Sequence, residues 1–179
     1  MPSFTAWHGR SLAQHTQLRD DAAKQAYRFL SLSIYGATAT GNRVLQNSIF
    51  ANGGLGIDLG DDGLTANDPG DADTGPNGLQ NKPVVRSAKT GALKTTIGAR
   101  LNSTPNRTFT VQFFSNPAGG DEGKKFIGQK SVITDASGNV TFSFSPSQKV
   151  DAGRTVTATA TSPAGNTSEF SAPRTVASA

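Results

Sequence analysis

"TTIGARLNSTPNRTFTVQFFS", Thr95 to Ser115, decides the fold. Thr95, Ile97, Ala99 and Leu101 alternate with Thr96, Gly98, Arg100 and Asn102, and after a break Phe109, Val111 and Phe113 alternate with Thr108, Thr110 and Gln112. A period of two places one set on each face of an extended strand. Between them "TPNR", Thr104 to Arg107, carries the residue types that turn a chain sharply. Two strands with one apolar face each, joined by a tight turn, need a second layer to cover that face.

The same grammar extends on both sides. It predicts strands at Pro83 to Ser87, Leu93 to Leu101, Thr108 to Ser115, Lys125 to Thr134, Val140 to Ser145, Thr155 to Thr161 and Thr167 to Ala172. Val140, Phe142 and Phe144 share a face, as do Val156, Ala158 and Ala160. Turn residues separate the strands at "NPAGGDEG", "DASGN", "VDAG" and "SPAGN". Phe113, Phe114, Phe126, Phe142, Phe144 and Phe170 are core candidates, but Phe113 and its neighbour Phe114 cannot share a face, so one is expected to point outward. Residues 83–179 thus have the length and strand number of a seven-stranded antiparallel immunoglobulin-like β-sandwich. The Cys and Trp marks of antibody domains are missing, so only the broad class follows.

Upstream the pattern changes. In "ATATGNRVLQNSIFANGGLGIDLG", Asn42, Asn47 and Asn52 recur every five residues, with Val44, Ile49, Ile57 and Leu59 as apolar pieces between the corners. Short strands with Asn or Gly at sharp bends make a coil. Earlier still, Leu12, His15, Leu18, Ala22, Ala26, Phe29 and Leu30 fall at helical spacing, which predicts an amphipathic helix between Ser11 and Leu32. The organisation expected is an atypical N-terminal segment 1–36 with a short helix, coil and linker at 37–82, and a sandwich at 83–179.

Taken in order, "GNRVLQNSIFANGGLGIDLG", "NDPGDADTGPNGLQNKPVV", "FFSNPAGG" and "VTATATSPAGNTSEFS" resemble the C-terminal part of bacterial right-handed parallel β-helix surface and secreted proteins, with their attached immunoglobulin-like sandwich. The resemblance covers about residues 40–173. It implies an all-β chain of terminal β-helix rungs followed by the sandwich, in an extracellular or cell-surface location, with a structural, adhesive or spacer role. Residues 1–36 depart from the family pattern, where many more rungs and a secretion signal are expected, and suggest a shortened member. An incomplete stack leaves the inner face of 37–60 short of neighbours. That part is expected to pack on the N-terminal helix, dock on the sandwich, or self-associate through the exposed rung.

The coil runs into "IDLGDDGLTANDPGDADTGPNGLQNKP", Ile57 to Pro83, which holds Asp58, Asp61, Asp62, Asp68, Asp71 and Asp73 before its first cation, Lys82. Setting these six charges aside raises the formal +4 of the chain to +10 for the remainder. Closely spaced Asp and Asn oxygens and loop carbonyls are the ligands calcium takes. Asp68, Asp71 and Asp73 are the first candidates, followed by Asp58, Asp61 and Asp62 if "DLGDDG" folds back over the last rung. The stretch is no EF-hand, because Gly75 and Pro76 occupy the fifth and sixth positions counted from Asp71. The other reading is a solvated cap, whose Asp and Asn side chains close turns and whose charge repels foreign strand edges.

Composition narrows the function classes. The cations of the sandwich are dispersed among the strands and only Lys124 and Lys125 adjoin, which argues against nucleic acid. With no cysteine there is no disulfide, thiolate site or thiol nucleophile. No apolar run spans a bilayer, and "MPSFTAWHGRSLAQH" lacks the plan of a signal peptide. His8 and His15 both lie in the atypical N-terminus, away from any nucleophile motif, and no catalytic residues are assigned. The expectation is a non-catalytic module, calcium-stiffened if the acidic stretch binds metal, with a cell-surface or extracellular protein or glycan as partner. The alternatives are a carbohydrate-binding accessory domain using the loop Asn116 to Gly123, or a fragment of a β-helix polysaccharide-degrading enzyme.

Overall fold

The computed structural model describes residues 32–179. The expected helix, with Trp7, His8 and His15, lies outside the described residues, except that Leu32 opens a strand. The described chain is all-β. Its strands are β1 (Leu32–Ile34), β2 (Ile57–Leu59), β3 (Val84–Thr90), β4 (Thr95–Asn102), β5 (Thr108–Asn116), β6 (Lys125–Ile133), β7 (Asn139–Phe144), β8 (Thr155–Thr161), β9 (Arg174–Thr175) and β10 (Ala177–Ser178), with one 3-10 turn at Pro76–Leu79.

Two four-stranded sheets, β10-β3-β4-β7 and β6-β5-β8-β9, face each other. All their pairings are antiparallel except β10 along β3. The alternation of β4 and β5 carries through to packing: Ile97, Ala99 and Leu101 meet Phe109, Val111 and Phe113 in one core with Val156, Ala158 and Ala160 of β8. Phe113 stacks on Phe144 across the sheets with ring centroids 4.6 Å apart, a contact that adds to the burial of both rings.

The expected strand at Thr167 to Ala172 is not a ladder strand. It runs beside β8, but the hydroxyls of Ser168 and Ser171 take the amides of Ala160 and Ala158 that carbonyls would otherwise accept. Ser168 and Ser171 return backbone bonds to the same residues. The chain then lays β9 on the second sheet and, after buried Val176, β10 on the first.

Residues 32–82 cover the outer face of the second sheet. β1 and β2 pair in parallel, Leu32 with Ile57 and Ile34 with Leu59, so the chain returns one strand over after 25 positions. Their buried Ile34, Ile57 and Leu59 form a second core with Phe114 and Phe170 of the sandwich. Phe114 does point away from Phe113, yet it is only 3% exposed. Phe170 meets it edge-on at 5.4 Å. Among the described residues the coil docks on the sandwich, one of the fates expected for it.

The expected strand pieces around Val44 and Ile49 are absent as strands. Ile49 makes a single antiparallel bridge to Gly123. Side chains of the sandwich accept the amides instead: Thr167 Oγ1 from Val44, Gln112 Oε1 from Gln46 and Glu122 Oε2 from Asn52. The corners fall at Gln46 and Ala51, whose φ angles of 57° and 60° are left-handed. Each lies one residue before the Asn that marked the bend in the sequence.

Candidate metal centre

The linker leaves β2 and is pinned at its far end by Asn81, which is 1% exposed. Its Nδ2 donates to the carbonyls of Asp68 and Asn102, and its Oδ1 accepts the Asp68 amide at 3.0 Å. Asn102, the last residue of β4, accepts the Gly70 amide on Oδ1 at 2.8 Å. Gly70 and Asp71 then turn through the left-handed region at φ 76° and 60°, which Gly adopts freely and Asp tolerates better than most residues. "PGDAD" is thereby folded back on itself at the end of the sandwich that carries the β4–β5 turn.

This turn brings Asp68, Asp71 and Asp73 together, with one carboxylate oxygen of each lying within 4.8 Å of the others. Oxygens around one calcium ion at about 2.3–2.6 Å can be no more than about 4.6–5.2 Å apart, so the spacing fits a shared cation. Asp71 accepts the Asn81 amide and the Ser103 hydroxyl, each at 2.6 Å. Asp68 Oδ2 accepts the Ala72 amide at 2.9 Å. Asp68 Oδ1 and Asp73 Oδ1, in contrast, are buried with no hydrogen-bond partner. A buried carboxylate oxygen without a donor is costly, and a cation is the partner that would satisfy two at once.

The electrostatics agree. Burial pushes the Asp71 carboxyl above its ordinary range; the charges of Asp73 and Asp68 push it further, against the bonds from Ser103 and Asn81. Asp73 is raised as well, by burial first and then by Asp68. Among the described residues no ion pair offsets these charges; the salt bridge recorded there joins Lys82 to Glu169.

Asp58, Asp61 and Asp62 do not join this group. Asp58 stands in β2 opposite Ser33, and Asp61 accepts the Ser33 hydroxyl at 2.7 Å. The Asp62 carboxylate lies against Gly60, where a Cβ would come within 2.8 Å of its Oδ1. The six aspartates therefore serve two places, one closing the β1–β2 end and one at the β4–β5 end.

Two glutamates that the sequence left unremarked matter as much. Glu169, 2% exposed, accepts the amides of Leu59 and Thr65 and pairs with Lys82. Glu122, 8% exposed, holds the amide and side chain of Asn52. Neither context signals a buried carboxylate: Glu122 follows Asp121 in a glycine-rich turn, which reads as solvated, and Glu169 stands beside Phe170 in "SEFS". The loop Asn116 to Gly123 is held in the same way: Asn116 Nδ2 donates to the Glu122 carbonyl, and Gly123 exchanges backbone bonds with Ile49. No family model matches the sequence, and no curated protein matches it.

Proposed function

We propose that this chain is a non-catalytic structural module from the C-terminal end of a cell-surface or secreted β-helix protein, with an immunoglobulin-like sandwich that plugs the last coil and a calcium-stiffened acidic joint between them. The observation that carries this reading is the parallel β1–β2 pair, which closes a turn of chain 25 positions long and whose inward side chains find their core in Phe114 and Phe170 of the sandwich. A stacked coil buries its apolar interior only against a neighbour. Here the sandwich supplies that neighbour through Phe114 and Phe170.

The joint supports the same reading. Asp68, Gly70 and Asp71 are anchored on Asn81, Asn102 and Ser103, so a cation held by the carboxylates of Asp68, Asp71 and Asp73 would fix the linker to the end of the sandwich. The metal supplies charge neutralisation and rigidity; the protein supplies the prearranged turn. The buried glutamates are engaged by backbone amides and a lysine, which suits a clasp better than acid–base chemistry. Labelling intact producing cells with a membrane-impermeant amine reagent tests the placement. Labelling before lysis, or recovery from the medium, is expected; labelling only after lysis contradicts it.

A further inference from the structure

The face of the sandwich opposite the docked coil has a composition of its own. Outward positions of β3, β4 and β7 carry Arg86, Lys89, Arg100, Thr96, Thr141 and Ser143, all exposed. Register places Lys89 beside Thr96, Arg100 beside Thr141, and Gly98 between Ser87 and Ser143. Gly98 is required there, since a Cβ would stand 2.6 Å from the Ser87 hydroxyl oxygen. The floor is therefore flat, bordered by hydroxyls and three cations. Among the described residues none of the three cations has a carboxylate within ion-pairing distance. At the β3 border the face continues into an open depression of about 290 Å³ walled by Ser87, Lys89, Arg174 and Thr175, which adds a fourth cation and no acid.

We infer that this sheet face binds a linear acidic polysaccharide of the polyuronate kind. The cations are few and spaced by hydroxyl-bearing residues, which matches a polymer with one carboxylate per sugar and hydroxyls elsewhere. Guanidinium groups take carboxylates in bidentate fashion, and Ser and Thr hydroxyls exchange hydrogen bonds with sugar hydroxyls. The other polyanions fit less well. No aromatic ring points outward from these strands to stack a nucleobase, as single-stranded nucleic acid uses, and the one apolar side chain they turn outward, half-buried Val84 opposite Arg100, is too little to enter a lipid surface. The acidic joint borders this face at Asn102, two residues along β4 from Arg100, but the cations that define the surface do not depend on a metal there.

The test is calorimetric titration of the full chain with polygalacturonate in EDTA at about 0.15 M ionic strength, beside neutral dextran, duplex DNA and phosphatidylserine vesicles. The triple variant Arg86→Gln, Lys89→Gln, Arg100→Gln removes the face. The triple variant Lys124→Gln, Lys125→Gln, Lys149→Gln removes the same charge from exposed sites elsewhere. We expect binding to polygalacturonate and not dextran, weakened about tenfold or more by the first triple and less than about twofold by the second, with circular dichroism unchanged in both. Absence of binding, equal weakening by the two triples, or tighter binding to DNA or vesicles would overturn the inference.

Discussion

The Lys82 ammonium lies 3.2 Å from Glu169 Oε2, with both side chains largely withdrawn from water. Lys82 ends the linker and Glu169 follows β8, so the pair closes a loop that also includes Leu59 and Thr65, both bonded to the same carboxylate. Lys82 Nζ donates to the Thr65 carbonyl as well. Removing one member of a buried pair leaves the other uncompensated, at a cost of about 3–5 kcal/mol. Glu169→Gln should lower the urea-unfolding free energy by about that amount at neutral pH. A loss below about 1 kcal/mol would mean that the clasp is not a fixed part of the fold.

Phe114 separates a docked coil from a loosely tethered one. It contacts Phe126 and Phe170 beneath Ile34, Ile57 and Leu59, and deleting a buried Phe ring costs about 3–5 kcal/mol. Phe114→Ala should therefore destabilise the chain nearly as much as Phe113→Ala, which opens the other core. If residues 32–82 did not stay on the sandwich, Phe114→Ala would behave as a surface change of about 0.5 kcal/mol or less.

The raised carboxyls of Asp71 and Asp73 set a pH dependence for the metal-free protein. A folded-state pKa above the unfolded value means that the protonated form favours folding. That contribution is complete below the unfolded pKa and is lost as pH rises through the folded one. In chelator, Asp73→Asn should therefore gain on the parent as pH rises from the acid range toward neutrality. Excess calcium should reverse the order at neutral pH, because the ion needs the ionised carboxylate. Parallel pH profiles for the two proteins would contradict the electrostatic account of the cluster.

Much of the sandwich was legible because its strands obey a period of two. Thr155 to Thr161 matches β8 residue for residue, and Ile97, Ala99 and Leu101 are core as their alternation implies. The same rule misled on the other face. Thr155, Thr157, Thr159 and Thr161 alternate with the core row, yet all four are buried: Thr155 and Thr157 donate to carbonyls of the loop that follows β5, and Thr161 pairs with Thr167. A polar row tells which way it points but not what lies over it. The coil was legible at Ile57 to Leu59 and not around Val44 or Ile49, where Gln112, Glu122 and Thr167, distant in sequence, replace ladder partners. The grouping of Asp68, Asp71 and Asp73 followed from spacing. Their supports, Asn81, Asn102 and Ser103, did not, since the fold brings them in.

The most direct measurement is a pair of calorimetric melts of the full chain, one with calcium at about a hundred times its dissociation constant and one with chelator. A site formed only in the folded state adds about 2.7 kcal/mol there, which raises the midpoint of a chain of this size by about 5–10 °C. The account predicts that rise for the parent and its loss in Asp68→Asn and Asp73→Asn. Coincident melts with and without calcium would contradict a metal-stiffened joint.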